Sequence, residues 1–354
     1  MKPYRLMFLI LTLGILLAAC GGTPAQESKE LNLFAWSEYV PQALLDEFTK
    51  ETGIKINYDT YSSNEELMAK LQTGGAGYDL IIPSDYTISI LSKLNLLAPI
   101  DYAQIPNFKN IAADFKDLEF DPSNRFSIPY QWGTSCLVVD TGKVNHPITK
   151  WADLWDPDFK DKLVLPDDSR EVIGMVLMML GYDRNTTDPA ELEQAKQKFL
   201  ELKPNIRLFD SDSPKTALAA GEVWLGMTWN GEASLAHQEN PQIAYIFPEE
   251  GCGIWFDNLS IPTGAPHKDA AHRFINFLLE PENSILITKE FPYSTPNLAA
   301  LELLKSDDPA FYNIYMGYPA TNPSKEELAR TSIVKDVGEA TALWDRIWTE
   351  VKGE

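Results

Sequence analysis

The chain reads as an α/β protein with a largely parallel sheet, and two observations predict that class. From residue 31, short apolar runs alternate with amphipathic segments over short links, and after "YQWGTSCLVVD" a second region repeats the alternation. Strand–helix–strand repetition of this kind buries parallel strands between helices. At 354 residues and 44% hydrophobic, the chain has enough apolar surface for one large domain or two ordinary ones.

In the first region "LNLFAW" is a strand, and "PQALLDEFTKETG" is a helix with Leu44, Leu45 and Phe48 on one side and a stop at Gly53. "KINYDTY" is a strand, "NEELMAKLQTG" a helix and "YDLIIPS" a strand. In such sheets ligands lie beyond the carboxyl ends of the strands. Those ends hold Trp36, Ser37, Glu38 and Tyr39, then Tyr61 and Ser62, then Ser84, Asp85 and Tyr86. Ser and Asp also cap helices, so one such end alone would carry little.

In the second region "TKWADLWDPDFKDK" has Trp151, Leu154 and Trp155 at helical spacing, as a packing face requires. "KLVLPDDSREVIGMVLMMLG" is a strand running into a helix, with Asp167, Asp168 and Glu171 at the junction. Asp167 is expected to cap that helix and Asp168 to meet a ligand, while Glu171 has the spacing of a capping-box partner. "DPAELEQAKQKFLELK" is a helix, and "NIRLFDSDSPKTALAAGEVWLGMTWNGE" holds a strand ending at Ser211, a short helix and a strand ending at Trp229. "AAHRFINFLLEP" is amphipathic, and "EATALWDRIWTEVK" puts Leu343, Trp344, Ile347, Trp348 and Val351 on one core-facing stripe.

"GIWFDNLSIP" is a strand with a carboxylate in it. A period of two gives Trp255, Asp257 and Leu259 one face, so a ring and a charge point the same way.

The net charge of −21 argues against nucleic acid, whose binding relies on basic residues, and favours cations at long range. Lys2 and Arg5 precede "MFLILTLGILLAA", which meets Cys20, Gly21 and Gly22, the pattern of a secretory signal. "LAAC" resembles a bacterial lipobox, which implies lipidation of Cys20 and a tether from 20 to 30 behind a signal peptide at 1–19. Cys136 and Cys252 remain, either bonded or as two buried thiols. The histidines, His146, His237, His267 and His272, lack metal-ligand spacing, so neither a metal nor a cofactor is expected.

"WSEYVPQALLDEFTKETGIKINYDTYSSNEELMAKL", "YDLIIPSDY", "DDSREV", "GMTWNGE", "IWFDNLSIP" and "YSTPNLAA" follow one another as in the bacterial polyamine-binding components of ABC importers. The chain resembles that family over essentially its whole mature length. The resemblance implies a type II periplasmic-binding-protein fold, two α/β lobes joined by crossings near Gln131–Ser135 and Trp255–Asn258 with the ligand between them. The lobes would be 31–132 with 257–303, and 133–256 with 304–354.

The resemblance also implies a ligand set. Trp36, Ser37 and Tyr39 match one cluster, and Ser84 and Tyr86 another, with Asp85 between them. Asp168, Glu171 and Ser211 match contacts from the other lobe, and Trp229, Trp255, Asp257 and Tyr293 complete the set. Tyr293 could equally be part of the loop at Pro292. One departure stands out: Val334 occupies the place of a family Gln, which leaves spermidine against putrescine open. Cys136 and Cys252 each fall near a crossing, where a bond would tether the hinge.

A polyamine is a flexible chain of ammonium groups and methylenes. Its charges need carboxylates and hydroxyls, and its methylenes need flat walls, where each cation–π contact adds about 0.5–2 kcal/mol. The expected protein is therefore a monomeric receptor and not an enzyme, with a polyamine as ligand and importer permeases as partners. It would lie outside the cytoplasm, touching a membrane only through its lipid. The competing readings are an extracellular hydrolase using Asp168 and Glu171, and a same-fold receptor for ferric ion. No nucleophile motif, phosphate loop or paired His supports the first, and a cleft rich in Trp argues against the second.

Overall fold

A computed structural model describes residues 29–74 and 77–353. The leader, Cys20 and all but the end of the tether lie outside the described residues.

Strand β1 (Glu30–Trp36) lies between β2 (Lys55–Tyr61) and β3 (Leu80–Ile81), both parallel to it. Helix α1 (Gln42–Thr52) buries Leu44, Leu45 and Phe48 and stops at Gly53, whose φ of 73° suits a residue without Cβ. Helix α2 (Asn64–Gln72) starts from Ser63, whose side chain accepts the Glu66 N–H. Helix α3 (Asp85–Lys93) follows β3 directly. The strand expected over "YDLIIPS" keeps only two residues. Beyond it the Ile82 carbonyl is taken by the Trp36 indole and the Tyr61 hydroxyl, and Pro83 has no N–H to offer a ladder.

Strand β4 (Ser127–Asp140) is the long one. After it come β5 (Leu163–Leu165), α4 (Ser169–Met179), α5 (Pro189–Leu202), β6 (Ile206–Phe209), α6 (Pro214–Ala219) and β7 (Leu225–Trp229). Helix α7 (Asn230–Glu239) and β8 (Ile243–Ile246) lead into β9 (Cys252–Ser260). The segment around Trp151 forms short 3-10 turns rather than an α-helix, broken at Pro157, yet Trp151 and Leu154 are buried as their spacing requires.

The strands form one sheet in the order β2-β1-β3-β9-β4-β7-β5-β6, with β8 also on β4. Both flanks are parallel, as the alternation predicts. The centre is not: β9 runs antiparallel to β3 and β4, and β4 to β7. These two strands pass from one half of the molecule to the other, and Gln131 pairs with Asp257, Gly133 with Trp255 and Ser135 with Gly253.

Two main apolar cores result. The first gathers Leu33, Phe48, Leu259 and Phe274, the last from α8 (Lys268–Leu278). The second gathers Val138, Val176 and Phe199. Helices α9 (Pro281–Glu290), α10 (Leu298–Asp307), α11 (Pro309–Gly317) and α12 (Lys325–Leu328) lead to β10 (Thr331–Ile333), which pairs with β9. Helix α13 (Thr341–Gly353) then buries Trp344, Ile347 and Val351 in the second core, each such side chain contributing about 1.5–3 kcal/mol. Trp255 packs with the first core, two residues before the lobe boundary expected at residue 257.

Cys136 and Cys252 are bonded, closing a loop of 116 residues around the second core. Reduction should lower stability by about 2–5 kcal/mol in denaturant titrations, since a long loop regains much freedom when opened. Two reactive thiols at these positions in denatured, unreduced protein would show that the bond is absent.

Candidate functional site

The ends of β1 and β3 and the middle of β9 meet over a cavity of about 50 Å³, faced from the other half by the start of α4, Ser211 and Trp229. Asp257 is at its centre. Trp255 and Asp257 share a face of β9 and both line the cavity. Only 5% of Asp257 is exposed. Its Oδ2 accepts from the Tyr39 hydroxyl and its Oδ1 from Ser84 Oγ, each at 2.6 Å. Burial pushes the carboxyl up to about 7, against the pull of the two hydroxyls.

Both residues are themselves held. Asn64 donates Nδ2 to Ser84 Oγ at 3.0 Å and accepts the Ser84 N–H at 3.1 Å. The Tyr130 hydroxyl donates to the Tyr39 carbonyl at 2.9 Å.

The walls are aromatic. The Trp36 indole donates to the Ile82 carbonyl and the Trp229 indole to the Ser211 carbonyl, so each ring has a fixed tilt. Trp229 meets Trp255 edge to face with centroids 6.3 Å apart, and Tyr293 meets both Trp255 and Tyr39 in the same manner at 5.7 and 5.3 Å. Tyr293 does come from the loop after α9, as its neighbour Pro292 suggests, and still lines the cavity. A Cβ on Gly231 would stand 2.5 Å from its ring, so that approach requires glycine.

At the start of α4 one acid takes both of the roles the sequence divides between two. Asp168, not Asp167, caps the helix: its carboxylate accepts the Arg170 and Glu171 N–H groups. Asp167 reaches Lys352 instead, at 2.6 Å, because it sits one residue too early to face the helix's open N–H groups. Asp168 nonetheless lines the cavity, and burial with the charges of Glu65 and Glu171 raises its carboxyl to about 7. Glu171 forms no capping box, since its Oε2 accepts from Arg184 Nη2 at 2.9 Å in a fully buried pair. That pair lies against β9 at Gly253, where a Cβ would come within 2.7 Å of both.

Ser37 and Tyr86 mark the rim. Ser37 Oγ donates to Asp212 Oδ1 across the cleft at 2.7 Å, and beside it Glu38 pairs with Lys215. Lys215 also reaches the buried Glu232 at 3.2 Å. The Tyr86 hydroxyl donates to Glu65 Oε1 at 3.0 Å, with the Arg170 guanidinium 5.7 Å from its ring. Every expected ligand residue, Asp85 and Ser211 included, lines this one cavity. Asn64, Arg170 and Asp212 line it without having been read from sequence. Nothing in local pattern marks them, because Asn64 and Arg170 sit inside ordinary helix starts and Asp212 in a turn. Among the described residues no group of three His, Cys, Asp or Glu could hold a metal ion.

Residues 43–313 match the profile of a family described as bacterial extracellular solute-binding protein. The chain is 40% identical over 345 residues to the spermidine/putrescine-binding periplasmic protein of Escherichia coli K12, covering 97% of each. It superposes with a TM-score of 0.74 on the spermidine/putrescine ABC transporter substrate-binding protein PotD of Streptococcus pneumoniae, at 37% identity over 92% of this chain and 99% of that one. The TpPotD lipoprotein of Treponema pallidum gives 0.77 at 30% identity, covering 92% and 100%.

The buried acids set a dependence on pH. An exposed Asp titrates near 3.9, whereas Asp257 and Asp168 do so at about 7 in the fold. Between those values the folded chain keeps protons the unfolded chain has lost, so their contribution to stability falls as pH rises from about 4 to about 7 and stays low above. The stability of Asp257→Asn relative to wild type should therefore climb by up to about 1.4 kcal/mol per pH unit across that window. A gap constant from pH 5 to 7 in denaturant titrations contradicts the burial argument.

Proposed function

The chain belongs to the bacterial extracellular solute-binding proteins, and we propose that it captures a polyamine in the cleft between its two cores and delivers it to an ABC importer. The observation that carries this reading is Asp257, a buried carboxylate served by two hydroxyls and, among the described residues, hydrogen-bonded to no basic side chain, with indole and phenol rings around it. Such a group costs free energy until a cation arrives. An ammonium ion completes it, and the rings wall the methylenes while attracting the charge.

Asp257 takes one ammonium. Asp168, facing it from α4, takes another, and Trp36, Tyr39, Trp229, Trp255 and Tyr293 flank the chain between them. Ser37, Ser84, Tyr86, Ser211 and Glu171 shape the ends. The relatives named for spermidine and putrescine support this ligand class. The two cores act as lobes, 31–132 with 257–303 and 133–256 with 304–354, hinged on β4 and β9, with Trp255 reaching across this division to pack on the first core. The protein binds and does not turn over its ligand, and it acts as a monomer held at the membrane by lipid on Cys20. The Treponema pallidum relative, titled a lipoprotein, supports that anchor.

Micromolar putrescine or spermidine should raise the melting temperature and change tryptophan fluorescence, with the amine recovered unchanged. Shifts with sugars, amino acids or iron and none with polyamines would overturn the assignment, and so would a reaction product. Asp257→Asn should weaken binding by more than tenfold while leaving the fold intact, a charge lost from a dehydrated site. Unchanged affinity returns Asp257 to a structural role.

Affinity should also rise with pH. Cation binding favours the ionised carboxyls, so below pH 7 each of Asp257 and Asp168 costs up to about tenfold per unit. Calorimetric titrations from pH 5.5 to 8 that stay flat would contradict it.

A further inference from the structure

Acids, hydroxyls and rings line the central cavity, and among the described residues one basic side chain lines it with them, Arg170. A guanidinium there works against every ammonium that approaches, since like charges repel most where water is excluded. Arg170 also stands in the first turn of α4, the end at which the helix dipole disfavours a cation. It is 5% exposed, so solvent relieves neither cost. A cation so placed in a cleft for cations calls for a role of its own.

The surroundings of Arg170 fix it without neutralising it. Nη2 donates to the Lys335 carbonyl at 2.9 Å and to Asn185 Oδ1 at 3.3 Å, and the guanidinium lies 4.5 Å from the Trp344 ring. Glu65, Asp168 and Asp345 act on its charge from farther off, yet among the described residues it forms no ion pair. Arg184 is the contrast, paired with Glu171 at 2.9 Å. Arg170 Nε is enclosed without a partner, and Nη1 has none either among the described residues. Donors of this kind are served only by an acceptor, which an ammonium cannot be. A carboxylate on the ligand would be repelled by Glu65, Asp168 and Asp345, whereas a neutral amide oxygen would not. Val334, next to Lys335, lines the cavity with methyl groups, a surface suited to acyl carbon.

We infer that Arg170 receives the carbonyl oxygen of an N-acylated polyamine whose remaining ammonium groups lie on Asp168 and Asp257. This rests on the polyamine reading and extends its ligand class to amines blocked at one end. Acylation removes a positive charge and supplies an acceptor, and the Arg170 end of the cavity favours both changes. An unblocked amine still binds through the acids and gains nothing from Arg170.

Calorimetric titration of spermidine and N1-acetylspermidine into the whole mature protein tests the assignment. Wild type should bind the two within about threefold of each other, whereas loss of one charge in a cleft of acids alone costs about tenfold or more. Arg170→Met removes the donors and the charge. It should weaken N1-acetylspermidine by at least about tenfold, the scale of one hydrogen bond to a charged group. Spermidine should bind that variant as tightly as wild type or more so, because a repelling charge is gone. A structural role alone would weaken both amines alike, and that result overturns the inference. So does a wild-type deficit of tenfold or more for the acetylated amine, a comparison that holds even where Arg170→Met folds poorly. Either outcome leaves the polyamine reading standing, whereas failure of wild type to bind both amines removes that reading and this inference together.

Discussion

The antiparallel ladder between β4 and β9 is the constraint on which the cleft depends. It runs through the centre of the sheet, between two parallel flanks, and reaches from one core to the other across a bulge between Pro129 and Gln131. Its register decides what faces the cavity. With Gln131 opposite Asp257 and Gly133 opposite Trp255, a slip by one residue would turn Phe256 and Asn258 inward and remove the acid from the site. The ladder also brings Asp257 to Ser84 through a backbone bridge. Adjacent chain segments are locked to it: Asn258 donates to the Pro83 carbonyl, and Trp132 and Ser294 exchange backbone hydrogen bonds. The site is therefore built on the two strands that join the cores.

Electrostatics explains why such a site favours a cation. The chain carries a net charge of −21, yet long-range field matters less than the acids taken out of water. Asp257, Asp168 and Asp85 all lose hydration and, among the described residues, recover hydroxyl or backbone N–H donors. Glu171 shows the contrast, since Arg184 already neutralises it. At the rim, Glu38 with Lys215 and Lys93 with Asp336 join opposite sides of the cleft. Lys93 is well exposed, and pairs of that kind contribute about 0–1 kcal/mol. Lys215 is more enclosed and shared with buried Glu232, so it holds its side of the rim more firmly.

Much of this was legible in sequence because period and position carry it. Two-residue alternation put Trp255 with Asp257, and the strand ends after "LNLFAW" and "YDLIIPS" gathered rings and hydroxyls where a sheet exposes them. What was missed depended on geometry finer than spacing. Whether Asp167 or Asp168 caps α4 is decided by one residue of phase at the helix start. The antiparallel centre was illegible because β4 and β9 have apolar runs that read alike in either direction. Arg184 gave no sign of its partner, thirteen residues away from Glu171 and brought back by the turn after α4. The bond between Cys136 and Cys252 could not be chosen over free thiols until the ladder set the two side by side.

The same ladder fixes an order of assembly. The first core is made from two stretches, one before residue 131 and one after residue 254, with most of the second core encoded between them and its last part, including α13, after both. A chain emerging from its N-terminus presents β1, β2 and β3 long before β9 and α8 exist to cover them. Contacts so distant in sequence form slowly, because the intervening loop must be ordered before they contribute. Most of the second core needs no such wait, as it lies within the span closed by Cys136 and Cys252, and only the segment from Ala320 onward joins it from farther along the chain. Once it has formed, the ends of β4 and β9 are held at bonding distance, and the two halves of the first core are separated by a few residues instead of more than a hundred. The later-encoded half thus serves as the template on which the earlier one closes.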